Sequence, residues 1–248
     1  MAKEDHISLL KDGVEKWNQW RRQNPDVCPD LSSAEIRGKD LSGSNLSDAD
    51  MHGDSFVGTD LSEADLSGAD LARARFNLGD LRDAKLQKAN LIESKMQSVE
   101  LDDADLRDAE MIRADLSKSA LIKSDLRGAN LTGADLRGAR IIMADLRDAD
   151  LSRANCTGAD FIESDLRNAD LSGANLDSAN FAGANLDGAN LDHAKLVETV
   201  MPDGSIRNEK TDETGSRDMP ARSLHEILER RDAESESIRD RHRWKGSR

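Results

Sequence analysis

From Leu31 to Leu196 every fifth residue is apolar, beginning Leu31, Ile36, Leu41, Leu46, Met51, Phe56. The row holds 34 positions, of which 24 are Leu and the rest Ile, Met, Phe or Cys, so one register is kept throughout. A second row runs two residues ahead of it. Of its 33 positions from Ala34 to Ala194, 23 are Ala, and only Lys39 and Asp54 fall outside Ala, Ser, Gly, Thr and Val. The other three positions of each pentad are mostly polar. On an α-helix, successive centres five residues apart would step by about 140°. On a flat strand an odd spacing would send them to alternate faces. Neither arrangement buries the row. A chain that turns a corner every five residues does bury it: four pentads then make a coil of 20, every centre points into a square bore, and small residues fill the crowded second inward position.

The pentads Ala64-Asp65-Leu66-Ser67-Gly68 and Ala129-Asn130-Leu131-Thr132-Gly133 carry the pattern A(D/N)LXX, which resembles the pentapeptide-repeat family. The resemblance runs from residue 31 to about 200. It implies an all-β solenoid, a right-handed quadrilateral β-helix of about 8 coils and roughly 40 Å in length at a strand spacing of about 4.8 Å. Residues 20 apart should then share a side. Leu46, Leu66, Leu86 and their successors to Leu186 form one inward row, and the pairs Phe56/Phe76 and Phe161/Phe181 should stack. Cys156 takes a Leu position and reads as a small buried thiol. Lys39 and Asp54 sit at small-residue positions of successive coils, where they either pair or Lys39 turns to solvent.

Three segments follow. Residues 1–30 read as an N-terminal helical cap: Ile7, Leu10, Val14, Trp17 and Trp20 recur at helical spacing, and Asn24-Pro25 stops the helix. A solenoid end leaves core and backbone open, and the two Trp residues fit a lid over the first coil. Residues 31–206 are the β-helix, closed by a turn at Met201-Pro202-Asp203-Gly204 and a short strand at Ser205-Ile206. Residues 207–248 read as a linker and a charged, partly helical tail, with capping-box spacing at Ser223 to Glu226 and an apolar stripe of Leu224, Ile227 and Leu228.

Composition changes this picture little. Aromatics are only 3% and Tyr is absent, yet a bore of Leu and Ala needs no rings. The net charge of −14 argues against a nonspecific nucleic-acid binder. It resides in the solenoid, where residues 31–201 hold 32 acidic and 19 basic groups, a net of −13. About half of that acid precedes a centre, where the repeat itself favours Asp or Asn. Two lone cysteines form no disulfide framework and suit the cytoplasm. No apolar run is long enough to span a membrane. The five His residues are scattered, no nucleophile or phosphate motif stands out, and neither catalysis, metal nor cofactor is expected.

Two outward rows depart from the repeat. Arg107, Arg127, Arg147 and Arg167 lie 20 apart beside Asp105, Asp125, Asp145 and Asp165. On the preceding side Ile122, Ile142 and Ile162 form a β-branched row, with Met143 nearby. The row suits strand packing and equally suits a contact surface. The favoured function is a non-catalytic protein–protein interaction module or scaffold on a rigid acidic rod, its partner unidentified and a homodimer possible. The alternative, implied by the resemblance to bacterial members, is a DNA mimic that protects or inhibits DNA gyrase. The aligned arginines, the lack of an internal loop insertion and the charged tail all depart from the gyrase-protecting pattern.

Overall fold

The repeat forces a parallel ladder between residues 20 apart, and a computed structural model, which describes residues 3–32 and 34–207, has that ladder from end to end. Parallel bridges join Asp30 to Asp50, Asn45 to Asp65, and so on up to Asn180 with Val200. The N–H of Leu46 donates to the Asp65 carbonyl at 2.7 Å, and the N–H of Asp65 donates back to Ser44 at 2.9 Å. Each side of the coil contributes a single bridged residue, because a turn follows at once. The N–H of Ala49 donates to the Leu46 carbonyl at 3.2 Å, and Asp48 between them has φ +55°. A positive φ at the third turn residue with an i to i+3 bond is the type II pattern. The bridges run without a break from Asp30 to Val200, each joining residues 20 apart.

Four sides follow from this register. Side A carries the centres Leu31, Met51 and Leu71; side B, Ile36, Phe56 and Phe76; side C, Leu41, Leu61 and Leu81; side D, Leu46, Leu66 and Leu86. Centres and the Ala row together form one continuous buried core. The Phe56 and Phe76 rings stack at 5.2 Å and 11°, and Phe161 and Phe181 at 4.8 Å and 5°. Gly79 takes a small-residue position for a specific reason. A Cβ there would lie 2.8 Å from the Phe76 carbonyl oxygen and 3.3 Å from that of Thr59, and backbone atoms cannot step aside.

The N-terminal stripe differs from expectation. Instead of one helix there are two, α1 (Lys3–Lys11) and α2 (Val14–Gln23), because Gly13 adopts φ +122° and breaks the run. Leu10 and Trp17 are buried in the common core, while Ile7, Val14 and Trp20 pack partly buried against it. In inner coils the Asp65 and Ser67 carbonyls accept from the coil below, and at the first coil that partner is missing. Side chains of α2 replace it: Trp17 Nε1 donates to the Asn45 carbonyl at 2.7 Å, and Arg21 Nη2 to that of Ser47 at 2.9 Å.

Lys39 and Asp54 do not pair. Lys39 is exposed, and the buried Asp54 carboxylate accepts the Ala34 N–H at 2.7 Å. At the far end β1 (Thr199–Val200) pairs antiparallel with β2 (Ile206–Arg207) across a turn in which Gly204 has φ +81°. The tail expected at 207–248 lies, beyond Arg207, outside the described residues. Among the described residues no helix is long and apolar enough to cross a membrane.

Two outcomes follow from these contacts. Gly79→Ala should lower stability by about 1–3 kcal/mol, as overpacking of a rigid core does, read as a fall in the urea midpoint at unchanged slope. The second concerns His6, which is buried against Trp20 with ring centroids 5.1 Å apart, its Nδ1 accepting the Asp30 N–H at 3.2 Å. Burial lowers its pKa below 6.5. The neutral ring is therefore the folded form, so its full stability is present above about pH 6.5 and is lost as pH falls toward the lowered value. Thermal melts between pH 7.5 and 5 should show the native protein losing more than His6→Gln; parallel losses would remove His6 from the account.

Candidate interaction surface

The Arg row on side D is built by the same local geometry in every coil. The Asp before each centre accepts, through Oδ1, the backbone N–H two residues on, as Asp125 does from Arg127 at 3.2 Å. The Arg side chain then folds back on that carboxylate, Nε to Oδ1 at 2.8 Å and Nη2 to Oδ2 at 2.6 Å. Arg107, Arg147 and Arg167 repeat the fork on Asp105, Asp145 and Asp165. Each guanidinium except the last also reaches the next coil: Arg107 Nε lies 3.6 Å from Asp125 Oδ2, Arg127 Nε 3.6 Å from Asp145, and Arg147 Nε 3.7 Å from Asp165. Charges therefore alternate up the side, and the repulsion expected of stacked arginines is cancelled locally. The hydrogen bonds from Arg167 hold Asp165 below the usual carboxylate range. For Asp105 and Asp145 partial burial pushes the other way, and the arginine bonds outweigh it, so both are lowered as well. The four Arg side chains remain 36% to 46% exposed, which leaves them accessible to a partner.

The neighbouring row on side C is not uniform. Ile122 and Ile142 are half-buried and Met143 is 46% exposed, but Ile162 is 3% exposed. Asp160 beside it and Asn180 one coil on are buried too, so this part of side C is covered and Ile162 belongs with packed residues rather than with an open ridge. The accessible apolar surface centres on Ile122, Ile142 and Met143.

A feature missed by sequence reasoning presents Met143. The corner from Ile141 to Ala144 lacks the usual i to i+3 bond; instead Ser164, buried one coil above, donates Oγ–H to the Ile141 carbonyl at 2.6 Å and accepts the Ala144 N–H at 3.1 Å. Its only sequence signal is a Ser where Ala is the rule. Met143 stands at φ +54° in the widened corner. Coil stacking also brings ligand atoms of Asp50, His52 and Asp70 within 4.8 Å of one another, which linear spacing concealed. His52 is exposed while Asp50 and Asp70 are half-buried, and His52 Nδ1 already lies 2.6 Å from Asp50 Oδ1. Cys156 is wholly buried, and burial with the nearby Asp135 charge pushes its thiol up to about 12, so it is unreactive at neutral pH.

The family description "Pentapeptide repeats" matches eight copies over residues 30–62, 80–111, 114–153, 129–168, 154–192 and 164–201. The chain belongs to the pentapeptide-repeat family. Among solved structures it is similar to HetL, a pentapeptide-repeat protein involved in heterocyst differentiation regulation from the cyanobacterium Nostoc, with 33% identity over 76% of this chain and 98% of that one and a TM-score of 0.38. QnrB1, a plasmid-mediated fluoroquinolone resistance protein, matches at 20% identity over 68% of this chain and 83% of that one, with a TM-score of 0.53. A thylakoid-lumen pentapeptide-repeat protein of Arabidopsis thaliana matches at 26% identity over 58% of this chain and 68% of that one, with a TM-score of 0.23. No curated protein matched by sequence. The QnrB1 likeness bears on the fold alone, and the partner is left to this chain's own surface.

The Ser164 clamp can be tested directly. Ser164→Ala strands a buried carbonyl and a buried N–H together, which should cost roughly 1–3 kcal/mol in a urea melt. An unchanged midpoint would mean that the corner closes on its own.

Proposed function

We propose that this solenoid is a non-catalytic protein–protein interaction module whose docking surface spans the corner between sides C and D, from Ile122, Ile142 and Met143 to the Arg–Asp ladder. The observation that supports it most is Met143: a large apolar side chain, 46% exposed, standing on a backbone clamped by Ser164 beside half-buried isoleucines and an ordered charged ladder. An apolar centre rimmed by fixed charges is the anatomy of a docking site. The ladder is neutral as a whole, so it suits a partner that supplies both signs. Rigidity adds to this, since a preformed face loses little freedom on binding.

A second reading rests on the charge of the rod. The lower coils of side C are strongly acidic, with Asp40, Asp60, Asp80 and Glu100 stacked one per coil. Such a stripe supports a DNA mimic acting on a type II topoisomerase.

One experiment separates the two. Affinity capture with the full chain and with Arg127→Glu/Arg147→Glu should lose the native partner in the variant, because the first reversal sets like charges against Asp125 and Asp145 and the second against Asp145 and Asp165. A topoisomerase retained by both proteins, together with altered DNA supercoiling at micromolar protein, would favour the mimic. An unchanged set of captured proteins without a topoisomerase would count against the C–D corner.

A further inference from the structure

Side C is divided along its length. From Asp40 to Asp103 its outward positions hold eight carboxylates and one guanidinium, Arg82, which is held by Asp80 and lies 3.4 Å from Glu100. From Ala120 to Met143 the same positions hold Ala120, Ile122, Lys123, Arg140, Ile142 and Met143, and no acid. Descending from the C-terminal end, a ligand lying along side C crosses the buried Asn180 and Asp160 rungs, then meets the apolar and basic stretch, and after it the acidic stretch.

The chain itself continues from that end. The last rung of side C is Val200, which bridges Asn180 and begins the hairpin to Arg207. Forty-one residues, 208–248, follow. Their sequence is divided in the same order: Leu224, Ile227 and Leu228 come first, then Arg239, Arg241, Arg243 and Lys245 at alternate positions. The final ten residues carry five basic groups against Asp240, a net of +4 in a protein whose solenoid is net −13. Alternate spacing would place all four basic groups on one side of an extended segment. Reach does not limit the match. The Arg140 rung lies three coils below Val200 and the Glu100 rung five, roughly 14 and 24 Å at about 4.8 Å per coil. Sixteen residues precede Leu224 and 31 precede Arg239; even wholly helical these would span about 24 and 46 Å.

We infer that the C-terminal segment docks along side C of its own solenoid, with Leu224, Ile227 and Leu228 on the Ile142–Met143 patch and the basic run of 239–245 on the acidic rungs of Asp60, Asp80 and Glu100. The segment is then a resident competitor of the docking surface. An outside partner has the same chemistry, an apolar turn followed by a basic stretch, and must displace it. This inference rests on reading side C as a docking surface.

The test places a photoreactive benzoylphenylalanine in the full chain, at Met143 in one variant, at Asp83 in a second and at Leu78 on side B as control. Mixed isotope-labelled and unlabelled protein separates links within one chain from links between copies. The expected result is links within one chain, from position 143 to residues 221–230 and from position 83 to residues 238–248, with neither at position 78. Reversal of Arg239, Arg241 and Arg243 to Glu should cut the second link by on the order of tenfold while circular dichroism stays unchanged. Absent links, links in the opposite order, or links only between copies would overturn the inference. Affinity capture through the C–D corner would still report on the docking surface itself, because its Arg127 and Arg147 reversals leave the C-terminal segment intact.

Discussion

Everything outward on this molecule is arranged by one inward requirement, that residue i and residue i+20 meet as partners in a parallel ladder. The bore tolerates that repeat only if its cross-section stays constant, so Leu sits on Leu and Ala on Ala, and two bulky rings are admitted only as stacked pairs. Gly79 marks the limit, where the Phe76 carbonyl leaves no room even for a methyl group. The same register that fills the core stacks like charges on the outside. Carboxylates fall above carboxylates on all four sides, and the structure answers locally: most Asp residues before a centre accept a nearby backbone N–H, and on side D Asp105, Asp125, Asp145 and Asp165 also accept from an arginine of their own pentad, the last three lying within ion-pair distance of the arginine one coil below. Electrostatic order on the surface is thus a by-product of steric order inside.

Much of this was legible because the repeat is local and exact. A period of five excludes helix and flat strand by geometry, and modulo-20 sorting brings Phe56 to Phe76 and aligns the Arg row with its Asp row. The departures were hidden wherever a residue acts across coils rather than within a pentad. Gly13 splits the first helix through its backbone angle, which apolar spacing does not register. Asp54 accepts the Ala34 N–H, while Lys39 turns to solvent. Ser164 differs from the local rule by one hydroxyl, yet that hydroxyl holds the corner that presents Met143. Ile162 has the same place in its pentad as Ile142 and a different exposure, because burial depends on what covers a side and not on the pentad.

The candidate surface combines two kinds of rigidity. Side D is held by forked arginine–aspartate pairs, each partly exposed, so its geometry is fixed while its own charge is nearly spent. Side C keeps its charge, because its lower coils have almost no basic residue to absorb it. A docking face gains specificity from the first and attraction from the second. Neither needs a catalytic group, and the one thiol inside the bore is protonated and sealed.

The 20-residue bridge has a final consequence, for how such a rod can change in length. Adding or removing one residue within a pentad would send the following centres out of the bore, whereas a whole coil of 20 restores every row in register. Length is therefore quantised, in steps of about 4.8 Å, and the separation between the Met143 corner and the acidic rungs of side C can take only those values. Any partner that touches both is reading a ruler whose divisions are set by the width of a leucine-filled bore.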